Sequence, residues 1–298
     1  ARLAAECDCP VVRLDGGGLD SQLPPPRLIL VTAGKGGVGT TTVAMNLAVT
    51  LAQTGRRTLL VDADPAGADV TNRLGLLPDH AVSQVLSGWR TVRETWLEGP
   101  GGIRVLPSDW AEEQQEAWSP AGQQRLVDEL RALAGQIDYV VLDIGRSPHP
   151  GTRMLWRSAD LALLVSTPDV VAVMDTYAAI KLCCADDAAP AVWTCFNQIP
   201  GGAAADDAFA RLSTACLRFL ALEIHRAGDL PTVPALAPGG GPPLVLGDRA
   251  PAAAETLKQL ASRLRQACEE GLGREQPPKP GRPHASRPAA AGDACLQP

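Results

Sequence analysis

The sequence predicts an α/β fold, with a mostly parallel central sheet flanked by helices on both faces in a single domain. Short runs rich in β-branched residues alternate with longer stretches of helical periodicity, the order expected when crossover helices join parallel strands. Several of the short runs are continuously apolar, as strands buried on both faces are. Hydrophobic residues make up 45% of the 298 residues and charged residues 20%, a composition that excludes a wholly disordered or collagen-like chain.

Each strand and helix follows from its own local pattern. Between the first two strands, Val43, Leu47 and Leu51 repeat at helical spacing, and Gly55 occupies the position of a helix C-cap. Further helices, with apolar stripes that face the sheet, are predicted at 123–133, 172–184, 206–220 and 252–270. The predicted strands are 27–32, 58–62, 103–107, 139–143, 161–167 and 191–196.

The two ends of the chain differ in composition from the predicted domain at 27–270. Residues 1–26 contain a glycine triplet and a proline triplet, which predict a flexible N-terminal segment. Residues 271–298 are rich in proline and in small or polar residues. Because such a segment buries too little apolar surface to compensate for the entropy of ordering, a disordered tail is expected.

Charge and cysteine content argue against several classes of protein. The 27 basic and 33 acidic residues give a net charge of -6, which disfavours electrostatic binding of nucleic acid by the protein surface as a whole. The 8 cysteines include no CxxC pair and no cysteine–histidine cluster at zinc-finger spacing, so reduced thiols in a cytoplasmic protein are expected. No apolar run approaches the roughly 20 residues that a membrane-spanning helix requires.

A glycine-rich loop joins the first predicted strand to the first predicted helix. It reads Gly34-Lys35-Gly36-Gly37-Val38-Gly39-Thr40-Thr41, and Thr42 follows at the start of the helix. Glycines allow backbone N–H groups to turn towards a phosphate, and the N-terminus of the helix adds its partial positive charge. Residues 34–42 are therefore predicted to bind the phosphates of a nucleotide.

The loop departs from the usual phosphate-binding pattern at one position. In G-x-x-x-x-G-K-[ST], the lysine after the second glycine contacts the β and γ phosphates, and the following hydroxyl binds Mg²⁺. Thr40 stands at the lysine position, whereas Thr41 keeps the hydroxyl. The lost lysine removes one or two charge-assisted hydrogen bonds of about 1.5 to 3 kcal/mol each, so the rate of phosphoryl transfer is expected to fall by on the order of ten- to several-thousand-fold.

Three segments resemble the MinD/ParA ATPases, whose phosphate loop has a deviant Walker A motif. The K-G-G-x-G form of the loop is similar to that motif, and its Lys35 is one of only four lysines in the chain. Residues 61–65, followed by Leu74-Gly75-Leu76, are similar to the family's switch segment, and residues 139–143 are similar to its Walker B strand. Segments 99–107 and 175–181 resemble the flagellar-number regulators FlhG, also called FleN or YlxH, and the resemblance as a whole covers about residues 27–270.

The resemblance implies that the site binds ATP or ADP with Mg²⁺, and it implies a role for each matched residue. Lys35 would reach the partner's nucleotide across an ATP-sandwich dimer. Asp64 would orient and polarise the attacking water. Asp62 and Asp143 would support Mg²⁺ through water, with Thr41 as a direct ligand.

Two positions bear on base recognition and on the missing lysine. Asn197, after the strand 191–196, matches the family's asparagine that contacts the edge of adenine. After Asp143 the family has D-x-x-A-G, where this chain has Arg146 and then Ser147 in place of the glycine. Arg146 either supplies the positive charge lost at Thr40 or is a solvent-facing arginine.

The partners implied by the family are only partly supported. The last predicted helix has Leu257, Leu260, Leu264 and Cys268 on one face and matches the family's final domain helix. It is therefore predicted to face the core, and membrane association is doubtful. The acidic balance and the lack of an evident basic stripe disfavour a DNA-partitioning protein, so no sequence-specific nucleic acid is expected as a partner.

Two functions remain open from the sequence. The first is a weak ATPase, linked to ATP-dependent homodimerisation, that positions or counts a cellular structure such as the flagellum with a protein partner of the flagellar export or placement machinery. The alternative is a degenerate relative that does not hydrolyse ATP and acts as a nucleotide-sensing or scaffold protein. The first function is favoured by the retained residues Lys35, Thr41, Asp62, Asp64 and Asp143. The second is favoured by Thr40 and Ser147.

Overall fold

The computed structural model describes residues 23–109, 117–146, 152–184, 189–199, 202–233 and 241–271. Within these residues, an 8-stranded sheet forms the centre of the fold. Its strands are β1 (Arg27–Ala33), β2 (Thr58–Asp62), β3 (Leu97–Glu98), β4 (Arg104–Leu106), β5 (Tyr139–Arg146), β6 (Leu161–Ser166), β7 (Ala191–Ile199) and β8 (Ile224–Pro231). The helices are α1 (Thr40–Gln53), α2 (Asp69–Arg73), α3 (Val82–Leu86), α4 (Val92–Thr95), α5 (Pro120–Arg131), α6 (Arg153–Ser158), α7 (Val170–Cys183), α8 (Gly202–Leu220) and α9 (Pro251–Glu269).

The strands follow the order β3-β4-β2-β5-β1-β6-β7-β8. Neighbouring strands are parallel except for β3 and β4, which are antiparallel. The first strand therefore lies inside the sheet between β5 and β6, and later strands are added on both sides of it. In open sheets of this kind, ligands bind beyond the carboxyl ends of the strands, where the strand order reverses. The loop that follows β1 lies at this point.

Two apolar layers cover the two faces of the sheet. Along β1, Leu28 and Leu30 belong to the layer that contains α5, α7 and α8. Ile29 and Val31, which point to the opposite face, belong to the layer that contains α1 and α9. The continuously apolar runs are therefore strands buried on both faces, and the predicted α/β sheet with helices on both sides is confirmed.

The predicted strands are all present, with their ends moved by a few residues, but β3 and β8 were not predicted. β8 lies at the edge of the sheet and pairs only with β7 among the described strands. Its residues alternate irregularly between buried and half-buried and include His225, Arg226 and Asp229, because an edge strand has one side open to solvent. A strand of this composition is not detected when the sequence is searched for continuous apolar runs.

The last helix packs against the sheet as predicted. Leu257, Leu260, Leu264 and Cys268 on α9 are all buried in the same layer as α1. Within the described ranges, no helix combines the length and apolarity that a membrane crossing requires. The predicted flexible segment 1–26 and disordered tail 271–298 lie outside the described residues except for 23–26 and 271, and Ser147 also lies outside them.

Candidate nucleotide site

The loop between β1 and α1 has the backbone conformation of a phosphate cradle. Gly37 and Gly39 have φ angles of 80° and 97°, which are strained for any residue with a Cβ. Gly39 is the N-cap of α1, no side chain caps the helix, and its first turn contains no acidic residue. The N–H groups of this turn have no partner within the helix, so they are available to bind an anion together with the helix dipole.

Two neighbouring elements hold the loop in place. A Cβ on Gly34 would lie 2.3 Å from the backbone carbonyl carbon of Asp175 in α7, so only glycine permits this close approach. On the other side, Asn197 Nδ2 donates a hydrogen bond of 2.7 Å to the carbonyl oxygen of Val38. A Cβ on Gly39 would lie 2.3 Å from the same nitrogen. Asn197, predicted to contact adenine, thus also supports the loop.

A cavity of about 460 Å³ opens beside the loop, which is within the range of small-molecule sites. One part of its wall consists of the loop and the first turn of α1, including Thr40, Thr41 and Thr42. Asn197 lines it as well. An apolar part of the wall comes from the end of β8, the segment before α9 and α9 itself: Leu230, Pro231, Val233, Leu244, Ala253 and Leu257.

Asp62 lies at the end of β2, directly beside Asp143 of β5 in the parallel register. One of its carboxylate oxygens, Oδ2, accepts hydrogen bonds from the backbone N–H and the hydroxyl of Thr71, at 2.9 and 2.6 Å. The other oxygen, Oδ1, is buried without a hydrogen-bond partner among the described residues. Burial raises the pKa of Asp62 to about 7, and the nearby carboxylates of Asp143 and Asp64 add to this effect.

Asp143 is fully buried and interacts with the first turn of α1. Its carboxyl group forms a hydrogen bond with the side chain of Thr41 and accepts another, of 3.2 Å, from the N–H of Gly145. Burial, followed by the charges of Asp64 and Asp69, raises its pKa to about 7. Thr41 and Asp143, predicted as magnesium residues, are therefore in direct contact.

These oxygen atoms fit a hard divalent cation. Two buried carboxyl groups of raised pKa gain stability when a cation approaches, and Asp62 Oδ1 has an unused acceptor position. The described residues contain no group of three or more His, Cys, Asp or Glu side chains that would form a metal cage. This is consistent with Mg²⁺, which usually binds one or two protein groups together with phosphates and water.

Asp64 lines the cavity and lies against Gly145. Its Oδ1 accepts a hydrogen bond of 2.9 Å from the N–H of Ala66. Gly145 has a φ of 62°, and a Cβ on it would lie only 2.0 Å from Asp64 Oδ2. The sequence motifs did not identify Gly145, although a glycine two residues after the Walker B aspartate, Asp143, is a detectable signal.

Lys35 is held within its own chain. Its ammonium group lies 3.5 Å from Asp169 Oδ1, and both side chains are about half exposed. Asp169 is the N-cap of α7 and accepts a hydrogen bond of 3.0 Å from the N–H of Ala172. Asp169 was not identified from the sequence, because no motif links the N-cap of a distant helix to the loop.

Two arginines line the cavity in addition to Lys35. Arg146, the residue considered from the sequence, is exposed at the end of β5. Arg73 was not considered, yet it is the last residue of α2 and donates a hydrogen bond of 3.3 Å from Nη1 to the hydroxyl of Thr42. The detectable signal was an arginine directly before Leu74-Gly75-Leu76 in the switch segment.

A protein-family model named ParA and described as an NUBPL iron-transfer P-loop NTPase matches residues 26–189. The chain belongs to the ParA/MinD family of P-loop NTPases. It is 32% identical over 207 residues to the antiactivator FleN of Pseudomonas aeruginosa, which covers 70% of this chain and 74% of FleN. It is also 32% identical over 157 residues to the flagellum site-determining protein YlxH of Helicobacter pylori, covering 52% of this chain and 53% of YlxH.

Solved structures of this ParA/MinD family have the same fold. MinD of Pyrococcus furiosus, a cell division ATPase, matches with a TM-score of 0.68 and 23% identity over 80% of this chain and 98% of that chain. The MinC:MinD complex of Aquifex aeolicus matches with a TM-score of 0.62 and 26% identity over 80% and 96%. The family and the FleN/YlxH relationship predicted from the motifs are confirmed.

Proposed function

We propose that the chain binds ATP and ADP with Mg²⁺ at the loop 34–42 and hydrolyses ATP slowly. The observation that carries this proposal is that an uncapped helix N-terminus lines the cavity, and that its Thr41 contacts Asp143, which lies beside the buried Asp62 at the ends of the adjacent strands. A MinD of Pyrococcus horikoshii that is similar in fold was solved in complex with Mg-ADP, which supports the choice of ligand.

Different residues of this chain bind the phosphates and orient the attacking water. Backbone N–H groups of the loop and of the first turn of α1 donate hydrogen bonds to phosphate oxygens. Thr41, Asp62 and Asp143 would hold Mg²⁺, Thr41 directly and the two carboxylates through water. The bound ion would supply positive charge that offsets the charge developing on the phosphates. Asp64 accepts a hydrogen bond from the attacking water and orients it towards the γ phosphate.

Hydrolysis is slow because Thr40 replaces the lysine that would stabilise the transferred phosphate. The backbone N–H groups of the loop, which do not depend on a side chain, still bind the phosphates of the nucleotide before hydrolysis. A lysine contact that strengthens in the transition state contributes to turnover more than to affinity. The chain is therefore expected to bind nucleotide much better than its turnover suggests.

ATP-dependent dimerisation and a flagellar role complete the proposal. Lys35 reaches a partner's nucleotide only after it leaves Asp169, and the exposed position of both side chains allows this exchange. FleN and YlxH support a cytoplasmic protein that positions or counts a cellular structure such as the flagellum, with a partner of the flagellar export or placement machinery. The second candidate, a nucleotide-sensing scaffold without turnover, is favoured by Thr40 and Ser147.

The decisive experiment compares the native chain with Thr40→Lys and Asp64→Ala in assays of Mg-ATP turnover and dimerisation. Asp128→Ala on α5, an exposed carboxylate on the other face of the sheet, is the matched control. Turnover in the native chain and the control that disappears in Asp64→Ala supports the ATPase. Turnover that appears only in Thr40→Lys identifies the scaffold, and the absence of nucleotide binding in the native chain refutes both candidates.

A further inference from the structure

Four carboxyl groups lie at the candidate site around the phosphate loop. Asp64 and Asp69 line the cavity, and Asp62 and Asp143 are buried at the ends of the adjacent strands. A nucleotide brings further negative charge, which costs free energy unless cations or hydrogen-bond donors compensate for it. Because position 40 is a threonine, helix α1 itself contributes no cationic side chain to this task.

Three cationic side chains line the cavity in the described part of the chain, and they differ in availability. Lys35 is ion-paired with Asp169. Arg146 is exposed at the end of β5. Arg73 is half-buried, and its Nη1 atom already donates to Thr42 in the first turn of α1. Arg73 is therefore the cation that the fold brings to the helix N-terminus where phosphates bind.

The position of Arg73 is determined by its helix. Thr71, two residues earlier, is buried and anchored to Asp62 through both its N–H and its hydroxyl. Val70 is fully buried in the layer that contains α1. These contacts fix α2 against the strand ends, so the side chain of Arg73 extends across the first turn of α1 rather than into bulk solvent.

The guanidinium group of Arg73 retains donors for a ligand. Within the described residues it forms no ion pair with a carboxylate, although Asp69 lies one turn earlier on the same helix. One of its nitrogens contacts Thr42, and a guanidinium has five N–H donors in a fork that matches phosphate oxygens. The cation also lies at the positive end of the α1 dipole, an unfavourable position unless an anion binds between them.

We propose that Arg73 binds the nucleotide phosphates in place of the lysine that is missing at position 40. This inference rests on the proposed nucleotide function and names a further residue of that site. Arg73 approaches the phosphates from the switch segment, whereas a lysine at position 40 would approach from α1. The guanidinium group of Arg73, which binds the phosphates, and the carboxylate of Asp64 therefore belong to the same segment, 62–73. Both groups respond together when nucleotide binds.

The test measures equilibrium binding of a fluorescent ADP, N-methylanthraniloyl-ADP with Mg²⁺, to the full chain. Arg73→Gln keeps a donor for Thr42 but removes the charge, and Arg73→Lys keeps the charge. We expect Arg73→Gln to weaken binding by about 10- to 100-fold and Arg73→Lys to recover a large part of the loss. Arg93→Gln, the same change at an exposed arginine in the last turn of the short helix α4 and outside the cavity, is the matched control and is expected to change affinity by less than about threefold. Arg146→Ala tests the other arginine of the cavity wall and is expected to weaken binding less than Arg73→Gln does.

A second site change separates a ligand contact from a structural one. Adding Thr40→Lys to Arg73→Gln is expected to restore affinity to within about threefold of the native chain, because a cation returns to the same phosphates. Equal affinity of Arg73→Gln and the native chain, or a loss in Arg146→Ala as large as that in Arg73→Gln, overturns the proposal. Failure of the native chain to bind the probe instead refutes the proposed function, and thermal unfolding verifies that each variant is folded.

Discussion

Replacing Gly145 with alanine is expected to displace Asp64 from the cavity wall. Gly145 has a φ of 62°, and an added Cβ would lie 2.0 Å from Asp64 Oδ2. Because the overlap falls on the end of a side chain and not on backbone, Asp64 rotates away while the strand stays in place. The substitution therefore acts on the carboxylate that we propose to orient the attacking water.

Gly55→Ala serves as the matched control for the backbone cost. Gly55 also has a positive φ, 82°, but no heavy atom of the described residues lies within 4 Å of an added Cβ. The left-handed conformation costs alanine about 1–2 kcal/mol at either position, and forcing Asp64 from its rotamer adds about 0.5–1.5 kcal/mol at Gly145 alone. We expect Gly145→Ala to lose about 1.5–3.5 kcal/mol of unfolding free energy and Gly55→Ala about 1–2 kcal/mol.

Urea denaturation measures the two free energies, and a phosphate-release assay with Mg-ATP measures the consequence for the site. Turnover should fall by at least about tenfold in Gly145→Ala and stay within about twofold of the native value in Gly55→Ala, which lies at the far end of α1. Equal losses of free energy together with equal turnover would refute the reasoning, because they would show that Asp64 does not depend on Gly145.

Three further predictions concern the carboxylates, the loop and the lysine. Without nucleotide, the unfolding free energy should fall as the pH rises from about 4 to about 7. Burial raises the pKa of Asp62 and Asp143 to about 7, so the folded chain holds their protons more tightly than the unfolded chain does. Urea denaturation across this range should show a shallower dependence of the unfolding free energy on pH for Asp62→Asn, and an unchanged dependence contradicts the raised pKa of Asp62. Asn197→Ala should lower the unfolding free energy by about 1–2 kcal/mol and weaken Mg-ADP binding, because the carbonyl oxygen of Val38 loses its hydrogen-bond donor. Titration calorimetry measures the affinity for Mg-ADP, and an affinity equal to that of the native chain argues against a supporting role for the Asn197 amide. Lys35→Ala should change the unfolding free energy by less than about 1 kcal/mol, since the pair with Asp169 is half exposed, and a larger loss in urea denaturation would contradict that view.

The strands and longer helices were predictable because each depends on residues close together in the chain. β1, β2, β5 and β6 are continuously apolar, and α1 repeats its apolar residues at helical spacing. β3, β8 and the short helices α3, α4 and α6 were missed. An edge strand is open to solvent on one side, and a helix of four to six residues is too short to display a period.

The phosphate loop was predictable for the same reason. Its glycines, its threonines and the following helix are contiguous, and the positive φ of Gly37 and Gly39 agrees with their role in the turn. Asp62, Asp64 and Asp143 were recognised because the segments that contain them resemble the switch segment and the Walker B strand of the MinD/ParA ATPases. Matched motifs could name these residues, but they did not reveal which of them touch one another.

By itself, the sequence determined the α/β class, the phosphate loop and the replacement of its lysine by Thr40, since all three are patterns over neighbouring residues. Only the tertiary structure decided which side chains complete the site. Arg73 reaches Thr42, Gly145 supports Asp64, and Asp169 holds Lys35 because the strand order brings separate segments to one edge of the sheet. Such contacts between distant segments depend on topology and packing, which no local period or spacing encodes.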